Sequence, residues 1–445
     1  MTVLLKILQV ILALSILIVL HELGHFTFAK LFGIRVEKFF LFFDAGGRKL
    51  FSSKSRWFTR LFPRAATAET EYGIGWLPLG GYCKIAGMID ESMDLDALKN
   101  EPQPWEFRAH PAGQRLLVTA GGVLFNFIGA VAIYCLIMGI WGRAYIPNEN
   151  AQIYPSSLAG EMGFRSGDHI LSMDGYEPEN FGMLQADLVR RDVQNVQVLR
   201  GADTVSLYID HALTGRVLQE GELFSLAIPF AVDSVDAHSP NALAGLERGD
   251  RIIRIGGSDV TFLQDARPVL EALRGSRTEV TLLRGADTLA LPVQVDSAGR
   301  LGIYMFPPEV RRQQYGFFGA IGAGLSLTGE TIHGYLQDMK LVATPSTGAY
   351  KSVGSFIAIG QAFPDRWDWY QFMYLLALLS IMLGVMNLLP IPALDGGHIV
   401  FTLYELLTGR KPSDRFLAAA QMIGMVLLAL LMMLAFGNDI GRLFK

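Results

Sequence analysis

The chain has 445 residues, of which 51% are hydrophobic and 18% charged, and its mean hydropathy is +0.32. Soluble domains carry about 25% charged residues, so this composition excludes an ordinary soluble enzyme. The net charge of -4 gives no reason to expect a nucleic acid as partner. The apolar excess lies toward the two ends, whereas the middle has the composition of a soluble protein. We therefore expect a membrane protein with a water-soluble insert.

Four apolar segments are long enough to cross a bilayer. The first runs over residues 3–28, and Lys6 is its only charge ahead of His21. The stretches 116–141, 370–394 and 416–436 contain no charged residue and exceed the roughly 20 residues that a helical span needs. A cleaved signal peptide is the other interpretation of the first segment. It is disfavoured because no small-x-small cleavage site closes the segment and further spans follow.

Positive charge predicts the orientation of these spans. Loops rich in lysine and arginine stay in the cytoplasm. Nine basic residues follow the first span: Lys30, Arg35, Lys38, Arg48, Lys49, Lys54, Arg56, Arg60 and Arg64. Four spans then place the N-terminus and the long middle region outside, and the short loop that contains Arg410, Lys411 and Arg415 inside.

The middle region contains an internal repeat of about 80 residues. The sequence LRGADT occupies 199–204 and recurs at 283–288, and FRSGDHIL at 164–171 corresponds to LERGDRII at 246–253. In each copy the Gly-Asp pair precedes an alternating strand, which is followed by a helical stretch and two further strands. This pattern resembles PDZ domains of the bacterial, circularly permuted kind. We therefore predict two PDZ-like domains between the second and third spans.

The first span ends in a pattern typical of zinc sites. His21-Glu22-Leu23-Gly24-His25 matches HExxH. On a helix the two histidines share a face and can bind one zinc ion, and Glu22 lies close enough to take a proton from water. The alternative is a polar helix end that binds no metal. The apolar span argues against it, because an unpaired ionisable residue there costs several kcal/mol.

A second polar motif closes the third span. Residues 387–398 read NLLPIPALDGGH, in which two prolines break the helix and two glycines permit a tight turn. Irregular backbone at membrane depth occurs where it is buried in protein or lines a cavity. Asp395 is thus a candidate third zinc ligand, which leaves a fourth position for water. The alternative is that Asp395 only starts a turn at the membrane surface.

HExxH in the first span together with NxxPxPxLDG in a later one resembles the site-2 protease family of intramembrane zinc metalloproteases. Two tandem PDZ-like domains narrow the resemblance to the regulator-of-sigma-E-protease subgroup of bacteria, and it covers nearly the whole chain. The resemblance implies that His21, His25 and Asp395 are the metal ligands and that Glu22 is the catalytic base. It also implies that Asn387 hydrogen-bonds the substrate strand or the oxyanion.

Two further segments are similar to the family. Residues 75–82, GWLPLGGY, match the segment that forms a membrane re-entrant β-hairpin, whose exposed edge pairs with an unwound substrate. The resemblance implies a substrate-binding role for Gly80 and Gly81, whereas the residues alone slightly favour a plain Gly-Pro loop. Residues 121–126 correspond to a small-residue motif that lets helices approach closely.

Other candidate ligands are weaker. His398 lies three residues after Asp395, but the site already has three donors, so we predict that it supports the ligands from outside. Two histidines, one aspartate and an open position favour Zn2+ over iron or manganese.

Cys83 and Cys135 are predicted to be free thiols, because Cys135 lies in an apolar run about fifty residues away from Cys83.

The resemblance implies an intramembrane zinc endopeptidase of the bacterial cell inner (cytoplasmic) membrane. Its substrates would be single-span membrane proteins of the anti-sigma-factor type, cut after a first outer cleavage, and remnant signal peptides. The PDZ domains would lie on the periplasmic side and either bind newly exposed peptide C-termini or exclude large outer domains. Membrane-protein substrates and the lipid bilayer are therefore the predicted partners, and no nucleic acid is expected.

Three other functions compete with this interpretation. A non-catalytic PDZ scaffold has no need for His21, Glu22, His25 and Asp395 together. A zinc protease that uses its spans only as anchors needs HExxH in a soluble stretch with a ligand soon after it, and Glu37 in a basic loop is the nearest candidate. A transporter is a third alternative, because an intramembrane carboxylate can mark an ion path.

The predicted fold class is a polytopic α-helical membrane protein with four transmembrane helices, two inserted α/β PDZ-like domains and a re-entrant β-hairpin. The region 309–369 contains an apolar stripe that either lies on the outer membrane surface or packs against the second PDZ domain, formed by Tyr315, Phe317, Phe318, Ile321 and Leu325. The predicted segments are 1–28 (first transmembrane helix), 29–114 (cytoplasmic loop with the hairpin), 115–142 (second helix), 143–214 (first PDZ domain), 215–308 (second PDZ domain), 309–369 (amphipathic region), 370–405 (third helix) and 414–437 (fourth helix).

Overall fold

The structure, a computed structural model, describes residues 2–78, 80–88, 101–210, 213, 216–217 and 221–443. It consists of two compact units. The first comprises Met1–Gly142, Gln314–Met339 and Val353–Lys445, and the second comprises Arg143–Gln313 with Lys340–Ser352. Both copies of the internal repeat belong to the second unit, and both polar motifs belong to the first.

The elements are numbered in chain order. The helices are α1 (Thr2–Leu31), α2 (Arg56–Leu61), α3 (Ala112–Ile140), α4 (Ser157–Glu161), α5 (Leu184–Arg190), α6 (Leu263–Ala272), α7 (Phe317–Ala343), α8 (Phe356–Ala362), α9 (Trp369–Leu388), α10 (Asp395–Thr408) and α11 (Asp414–Leu443). The strands are β1 (Val36–Leu41), β2 (Lys49–Ser52), β3 (Glu71–Gly75), β4 (Tyr82–Ile85), β5 (Arg143–Tyr145), β6 (Ile153–Pro155), β7 (His169–Met173), β8 (Asn195–Arg200), β9 (Asp203–Tyr208), β10 (Phe224–Leu226), β11 (Val232–Val235), β12 (Arg251–Ile255), β13 (Ser258–Asp259), β14 (Arg277–Arg284), β15 (Asp287–Gln294), β16 (Ile303–Met305) and β17 (Arg311–Gln313).

Four helices in the described part of the chain are long and apolar enough to cross a membrane, as predicted. They cover Val3–Leu31, Ala112–Ile140, Trp369–Leu388 and Arg415–Gly441, and so correspond to α1, α3, α9 and α11. Such segments form helices because a helix satisfies all its backbone hydrogen bonds internally where water is absent. Helix α3 contacts α1, α9 and α10, and so lies at the centre of the bundle.

The third span is shorter than predicted. The sequence assigns 370–405 to the third transmembrane helix and predicts a break at its prolines; in the structure α9 ends at Leu388 and α10 begins at Asp395. Pro390 and Pro392 in between cannot donate a backbone hydrogen bond to a continuing helix. Ala393, next in the chain, has a φ of 90°, a backbone conformation that strains any residue with a Cβ. The break is therefore built by the two prolines and one strained residue.

The two glycines after Asp395 serve close packing and not a turn. Gly396 and Gly397 both lie within α10. A Cβ on Gly396 would lie 2.1 Å from the carbonyl oxygen of Leu389, and one on Gly397 would lie 2.7 Å from that of Ile391. The start of α10 thus rests directly on the broken segment that precedes it, which any larger side chain would prevent.

The expected hairpin is replaced by a mixed sheet. Its strand order is β2-β3-β1-β4, with β1 parallel to β3 and antiparallel to β4. Strands β3 and β4, on either side of the segment 75–82, therefore flank β1 and do not pair with each other. Val36 and Phe40 of β1 are almost fully buried, which explains the central place of that strand. Leu79 of this segment lies outside the described residues, as do 89–100 of the predicted loop.

The helical region after the second repeat packs by its small residues. Ala320, Gly324, Thr328 and Gly334 are the buried positions of α7. A Cβ on Gly324 would lie 2.6 Å from the backbone nitrogen of Cys135 on α3. Four of the five residues of the predicted apolar stripe are exposed, with Phe317 and Phe318 at 76% and 84%, whereas Tyr315 is half-buried against the core that α3, α7 and α9 share. Close helix packing needs small side chains, so the aromatic stripe is left on the other side.

Each copy of the repeat folds around its own core. The first core includes Ile170, Leu188 and Val196, next to the antiparallel sheet β7-β8-β9. The second core includes Ile252 and Val280, on the antiparallel sheet β13-β12-β14-β15. Two small hydrophobic cores of this kind account for the soluble composition of the middle of the chain, as the repeat predicts.

The boundary between the repeats lies later than the predicted 214. Strand β10 pairs with β6 of the first copy, and the Phe224 ring packs on Phe164 with 4.9 Å between centroids. The second core begins at Phe230. Residues 211–212, 214–215 and 218–220 lie outside the described residues. At the other end, β17 pairs with β5, so the unit continues past the predicted 308.

The two repeated sequence motifs contact each other in both copies. Asp168 pairs with Arg200 at 2.8 Å, and Asp250 pairs with Arg284 at 2.7 Å. Both aspartates are fully buried, and each also accepts a hydrogen bond from the backbone amide three residues before it. The Arg284 guanidinium holds the pKa of the Asp250 carboxyl below its usual range. The Gly-Asp and LRGADT motifs recur together because their charged residues form one ion pair.

Candidate metal centre

Helix α1 brings the two histidines of the first motif together. His21 and His25 are one helical turn apart, and their Nε2 atoms lie 3.3 Å from each other. Both side chains are largely shielded, with exposures of 12% and 9%. A regular helix across an apolar span thus holds two nitrogen donors at one point, as the HExxH spacing predicts.

Asp395 reaches the same point from the far end of the chain. It is the first residue of α10, and its Oδ2 atom lies 3.3 Å from Nε2 of His21 and 3.4 Å from Nε2 of His25. The broken segment before α10 sets this position, and a Cβ on Gly424 of α11 would lie only 1.4 Å from the Pro392 carbonyl oxygen. The break in the helix therefore has a role: it turns a carboxylate toward the two imidazoles.

The three donor atoms fit a tetrahedral zinc ion. In such a site, with bonds of about 2.0–2.1 Å, neighbouring ligand atoms lie about 3.3–3.4 Å apart. The three distances among His21, His25 and Asp395 match this spacing. The buried Oδ2 atom of Asp395 has no hydrogen-bond donor among the described residues, although a buried carboxylate oxygen normally has one. His398 is not a member of this group of donors within the same residues.

A backbone carbonyl sets the tautomer of His25. Its Nδ1 atom lies 2.8 Å from the carbonyl oxygen of Val118 on α3, so Nδ1 carries the proton and donates it. The lone pair is then on Nε2, which faces His21 and Asp395. Metal-binding histidines commonly donate their other ring nitrogen in this way.

Three glycines let α3 approach the site. A Cβ on Gly24 would lie 2.1 Å from the carbonyl oxygen of Gly121, so α1 and α3 touch by their backbones there. A Cβ on Gly122 would lie 2.4 Å from Nε2 of His25 and 2.5 Å from Cε1 of His21. Gly122 therefore keeps open the space beside the imidazoles, a role more specific than helix packing.

Glu22 and Asn387 border the donor group. The Glu22 carboxylate accepts a hydrogen bond from the backbone amide of Cys83 on β4, and β4 is the outer strand of its sheet. The side-chain amide nitrogen of Asn387, in the last turn of α9, lies 3.4 Å from Nε2 of His21. An acid, an amide and a strand edge thus lie next to the three donors.

Gly80 and Gly81 have packing contacts of their own. A Cβ on Gly81 would lie 2.5 Å from Cγ2 of Ile18 on α1, and one on Gly80 would lie 2.5 Å from the Phe43 ring. Gly81 lets the chain just before β4 approach the first span, and Gly80 lets it approach Phe43. They thereby position the strand edge beside Glu22, whereas a direct contact with a substrate stays a prediction.

Sequence reasoning missed three contributors to the site. Asn126 on α3, fully buried, lies 3.1 Å from Nδ1 of His21. The second contributor is the Val118 carbonyl, which accepts the hydrogen bond from His25. The third is the ion pair between Arg115 and Glu405, which joins α3 to α10, the helix that carries Asp395. An amide within an uncharged span was a signal for Asn126. The sequence contains no comparable signal for a backbone carbonyl.

Comparisons with known proteins agree with this geometry. A family model described as Peptidase family M50 matches residues 9–431. The chain is 31% identical to the regulator of sigma-E protease RseP of Salmonella typhimurium, over 97% of this chain and 98% of that protein. It is 29% identical to the protease RseP of Yersinia pestis, over 97% and 98%. It is also 29% identical, over 99% of both chains, to a protein of Ralstonia nicotianae named as a zinc metalloprotease.

The alternatives of a scaffold and a transporter are thereby excluded as the main activity, because the matched family consists of peptidases. The family model extends from the first span to the last, so it includes both polar motifs. The protein belongs to peptidase family M50, the site-2 protease family, and is a zinc metalloprotease.

Proposed function

We propose that this protein is an intramembrane endopeptidase whose zinc is held by His21, His25 and Asp395, with Glu22 as general base. The observation that carries the proposal is the triangle of donor atoms with sides of 3.3–3.4 Å. Two of the donors lie on α1, which is long enough to cross a membrane. The third lies at the start of α10, which follows the membrane-length helix α9. The peptide bond is therefore cut within or at the edge of the bilayer.

Each residue of the site has a distinct part in hydrolysis. When bound, zinc supplies the Lewis acidity that makes water a nucleophile at neutral pH. Glu22 takes the proton from the attacking water and delivers it to the leaving amine of the cut peptide. The Asn387 amide donates a hydrogen bond to the carbonyl oxygen of the scissile bond, where negative charge develops. His21, His25 and Asp395 keep their ligand atoms aligned throughout.

The edge of β4 offers a place for the substrate backbone. A transmembrane helix hides its carbonyl groups in its own hydrogen bonds and must unwind before it can be cut. An unwound segment can add to an outer strand by main-chain hydrogen bonds. Because Cys83 of β4 bonds to Glu22, a substrate on that edge lies beside the general base. Gly80 and Gly81 act here by letting the start of β4 pack closely, Gly81 against the first span and Gly80 against Phe43.

The substrates we propose are single-span membrane proteins of the anti-sigma-factor type, after a first outer cut, and remnant signal peptides. The name of the Salmonella relative, regulator of sigma-E protease, supports the first class. The two repeats act as PDZ-like domains on the periplasmic side, either as a filter against large outer domains or as a sensor of new C-termini. The basic stretch 30–64 supports an orientation with the N-terminus outside, in the inner membrane of a bacterium.

The test is cleavage of a tagged single-span reporter with a short outer tail. Membranes would contain the wild type, Glu22→Gln, or Glu37→Gln as a matched control, since Glu37 lies in the sheet and pairs with Lys84. We expect a product cut within the span with wild type and Glu37→Gln, and none with Glu22→Gln, while all three proteins retain zinc. Equal cleavage by Glu22→Gln would exclude Glu22 as the base.

The same reporter tests the proposed filter. A series with outer tails of increasing size should be cut progressively less by the wild type. Size-independent cleavage would favour the sensor role, provided that added C-terminal peptides change the rate. If neither effect is observed, the repeats have no role in substrate choice.

A further inference from the structure

A basic, partly apolar surface lies between the first two spans. Residues 45–68 contain six basic residues and no acidic one. We call this surface the β2–α2 surface and define it by its six basic and four exposed apolar residues, which are Arg48, Lys49, Lys54, Arg56, Arg60, Arg64, Leu50, Trp57, Leu61 and Phe62. The proposed proteolysis uses none of them.

The surface includes a cavity of about 720 Å³ between β2 and α2. Lys49, Lys54, Ser52, Ser55 and Trp57 contribute to its lining. Glu71 also lines the cavity, and its carboxylate accepts hydrogen bonds from the Lys49 ammonium and the Ser52 hydroxyl, both at 2.6 Å. Lys54 has no ion pair within the described part of the chain, and its ammonium is therefore available to an anion. The Lys54 ammonium, the Trp57 ring and the Ser55 hydroxyl, which has no hydrogen-bond partner among the described residues, suit a phosphate group that is attached to something apolar.

Helix α2 adds charge and exposed apolar side chains around this cavity. Arg56 and Arg60 of α2, and Arg64 just after the helix, are exposed and form no ion pair with any residue that the structure describes. Trp57 and Leu61 are 58% and 67% exposed. Arginine beside exposed tryptophan and leucine is the composition of helices that lie in a membrane interface.

The surface is anchored close to the membrane boundary. The Tyr72 ring of β3 packs on Phe26 of α1, with 6.1 Å between centroids, and Lys30 of α1 pairs with Glu69 at 2.6 Å. These contacts involve the last two turns of the first span. Strand β2 pairs with β3.

A chain of aromatic contacts extends from β2 to α2. The Phe51 ring of β2 packs edge-on against Trp57 and Phe58 of α2, with 6.1 and 5.4 Å between centroids. The β2–α2 surface is thus joined, element by element, to the end of a span. Headgroups of the same leaflet are within its reach.

We propose that the β2–α2 surface binds anionic phospholipid headgroups of the adjoining leaflet. A headgroup phosphate lies in the cavity near Lys54, and Trp57 and Leu61 enter the boundary between headgroups and acyl chains. Charge complementarity selects anionic lipids, because each basic residue near an anionic surface strengthens binding by roughly fivefold. This contact would fix the height of the β-sheet beside the proposed active site.

The first experiment measures lipid retention by the full-length protein. Native mass spectrometry would count phosphatidylglycerol and phosphatidylcholine retained by the wild type and by Lys54→Gln/Arg56→Gln/Arg60→Gln. The control variant removes three exposed arginines of the other unit, Arg165→Gln/Arg251→Gln/Arg267→Gln. We expect about tenfold or greater loss of phosphatidylglycerol in the first variant and no change in the control. Equal retention by all three proteins would overturn the proposal.

A second experiment locates the lipid without altering any charge. The protein would be placed in lipid nanodiscs that contain brominated phosphatidylglycerol, and the Trp57 fluorescence taken as the difference between the wild type and Trp57→Phe. We expect quenching of this difference signal, which soluble glycerol phosphate does not reverse. An unquenched Trp57, reversal by glycerol phosphate, or protection of Trp57 by self-association would each contradict the proposal. The result is independent of proteolysis, because Glu22→Gln protein should behave in the same way.

Discussion

The Asn126 side chain lies 3.1 Å from Nδ1 of His21. The Asn126 Oδ1 atom is buried and has no partner among the described residues, while its amide nitrogen points at the imidazole. A half-turn of the carboxamide would place Oδ1 against Nδ1. His21 could then donate its Nδ1 proton and keep the lone pair on Nε2, the atom that faces Asp395. Asn126 is therefore a positioning residue for His21.

Replacing Asn126 is expected to weaken zinc binding. Asn126→Leu removes the acceptor at similar volume, and loss of such a partner lowers metal affinity by about 10–100-fold. Asn126→Asp restores an acceptor and should recover most of that affinity. The measurement is zinc retention in competition with a chelator, with Ser380→Ala as control, because Ser380 bonds only to the Asn126 backbone carbonyl in the described contacts. Equal retention by Leu and Asp variants would show that Asn126 does not act through His21.

Gly122→Ala should abolish the metal site without harming the helix. The added Cβ would lie 2.4 Å from Nε2 of His25, which is too close for any real contact. Alanine is a better helix former than glycine by about 1 kcal/mol, so α3 itself should persist. Zinc content and helicity by circular dichroism separate the two effects.

Gly113→Ala is the matched control on the same helix. Within the described part of the chain no atom comes within 4 Å of a Cβ placed there. We expect full zinc content and unchanged or slightly higher stability. Zinc loss in both variants would mean that α3 is sensitive to any substitution, and the steric explanation would fail.

The ion pair between Arg115 and Glu405 should stabilise the placement of α10. Both side chains are mostly shielded, and they join α3 to the helix that begins with Asp395. Removal of one partner from a buried pair costs about 3–5 kcal/mol, whereas replacement of both by apolar residues can be neutral. Arg115→Met should therefore lower the melting temperature more than Arg115→Met/Glu405→Leu does. A double variant as unstable as the single one would argue against an unpaired Glu405 as the cause.

The second repeat should lose stability in acid through Asp250. Because Arg284 lowers the pKa of this carboxyl in the folded state, the unfolded chain binds more protons than the folded one as pH falls. The stabilisation by the ion pair between Asp250 and Arg284 is therefore fully present above the pKa of about 4 that Asp250 has in the unfolded chain. It is lost as pH falls through the lower pKa that Asp250 has in the folded protein.

Melting temperatures of the wild type and Asp250→Asn between neutral and acid pH test this sign. Their difference should be largest near neutral pH and shrink below about pH 4. Asp259→Asn is the control, since Asp259 is 80% exposed in its pair with Arg254, and exposed pairs contribute only about 0–1 kcal/mol. A difference that grows toward acid pH would contradict the assignment.

Local patterns in the sequence determined the spans, both polar motifs, the repeat and the lack of a disulfide between the two described cysteines, Cys83 and Cys135. Hydropathy over about 20 residues decides a span, and a spacing of four puts His21 and His25 on one face, whatever the remainder of the chain does. The meeting of His25 with Asp395 was inferred from resemblance, because no local rule relates residues so far apart.

Only the tertiary structure decided the contacts between distant segments. The place of β1 between β3 and β4, the return of β10 to the first repeat, and the outward aromatic face of α7 depend on which neighbour each element finds. The close approach of Gly122 to the imidazoles and the pairing of Asn126 with His21 have the same origin. Packing and hydrogen bonds between distant residues are determined by the whole fold, and a linear pattern records only which residues are available for them.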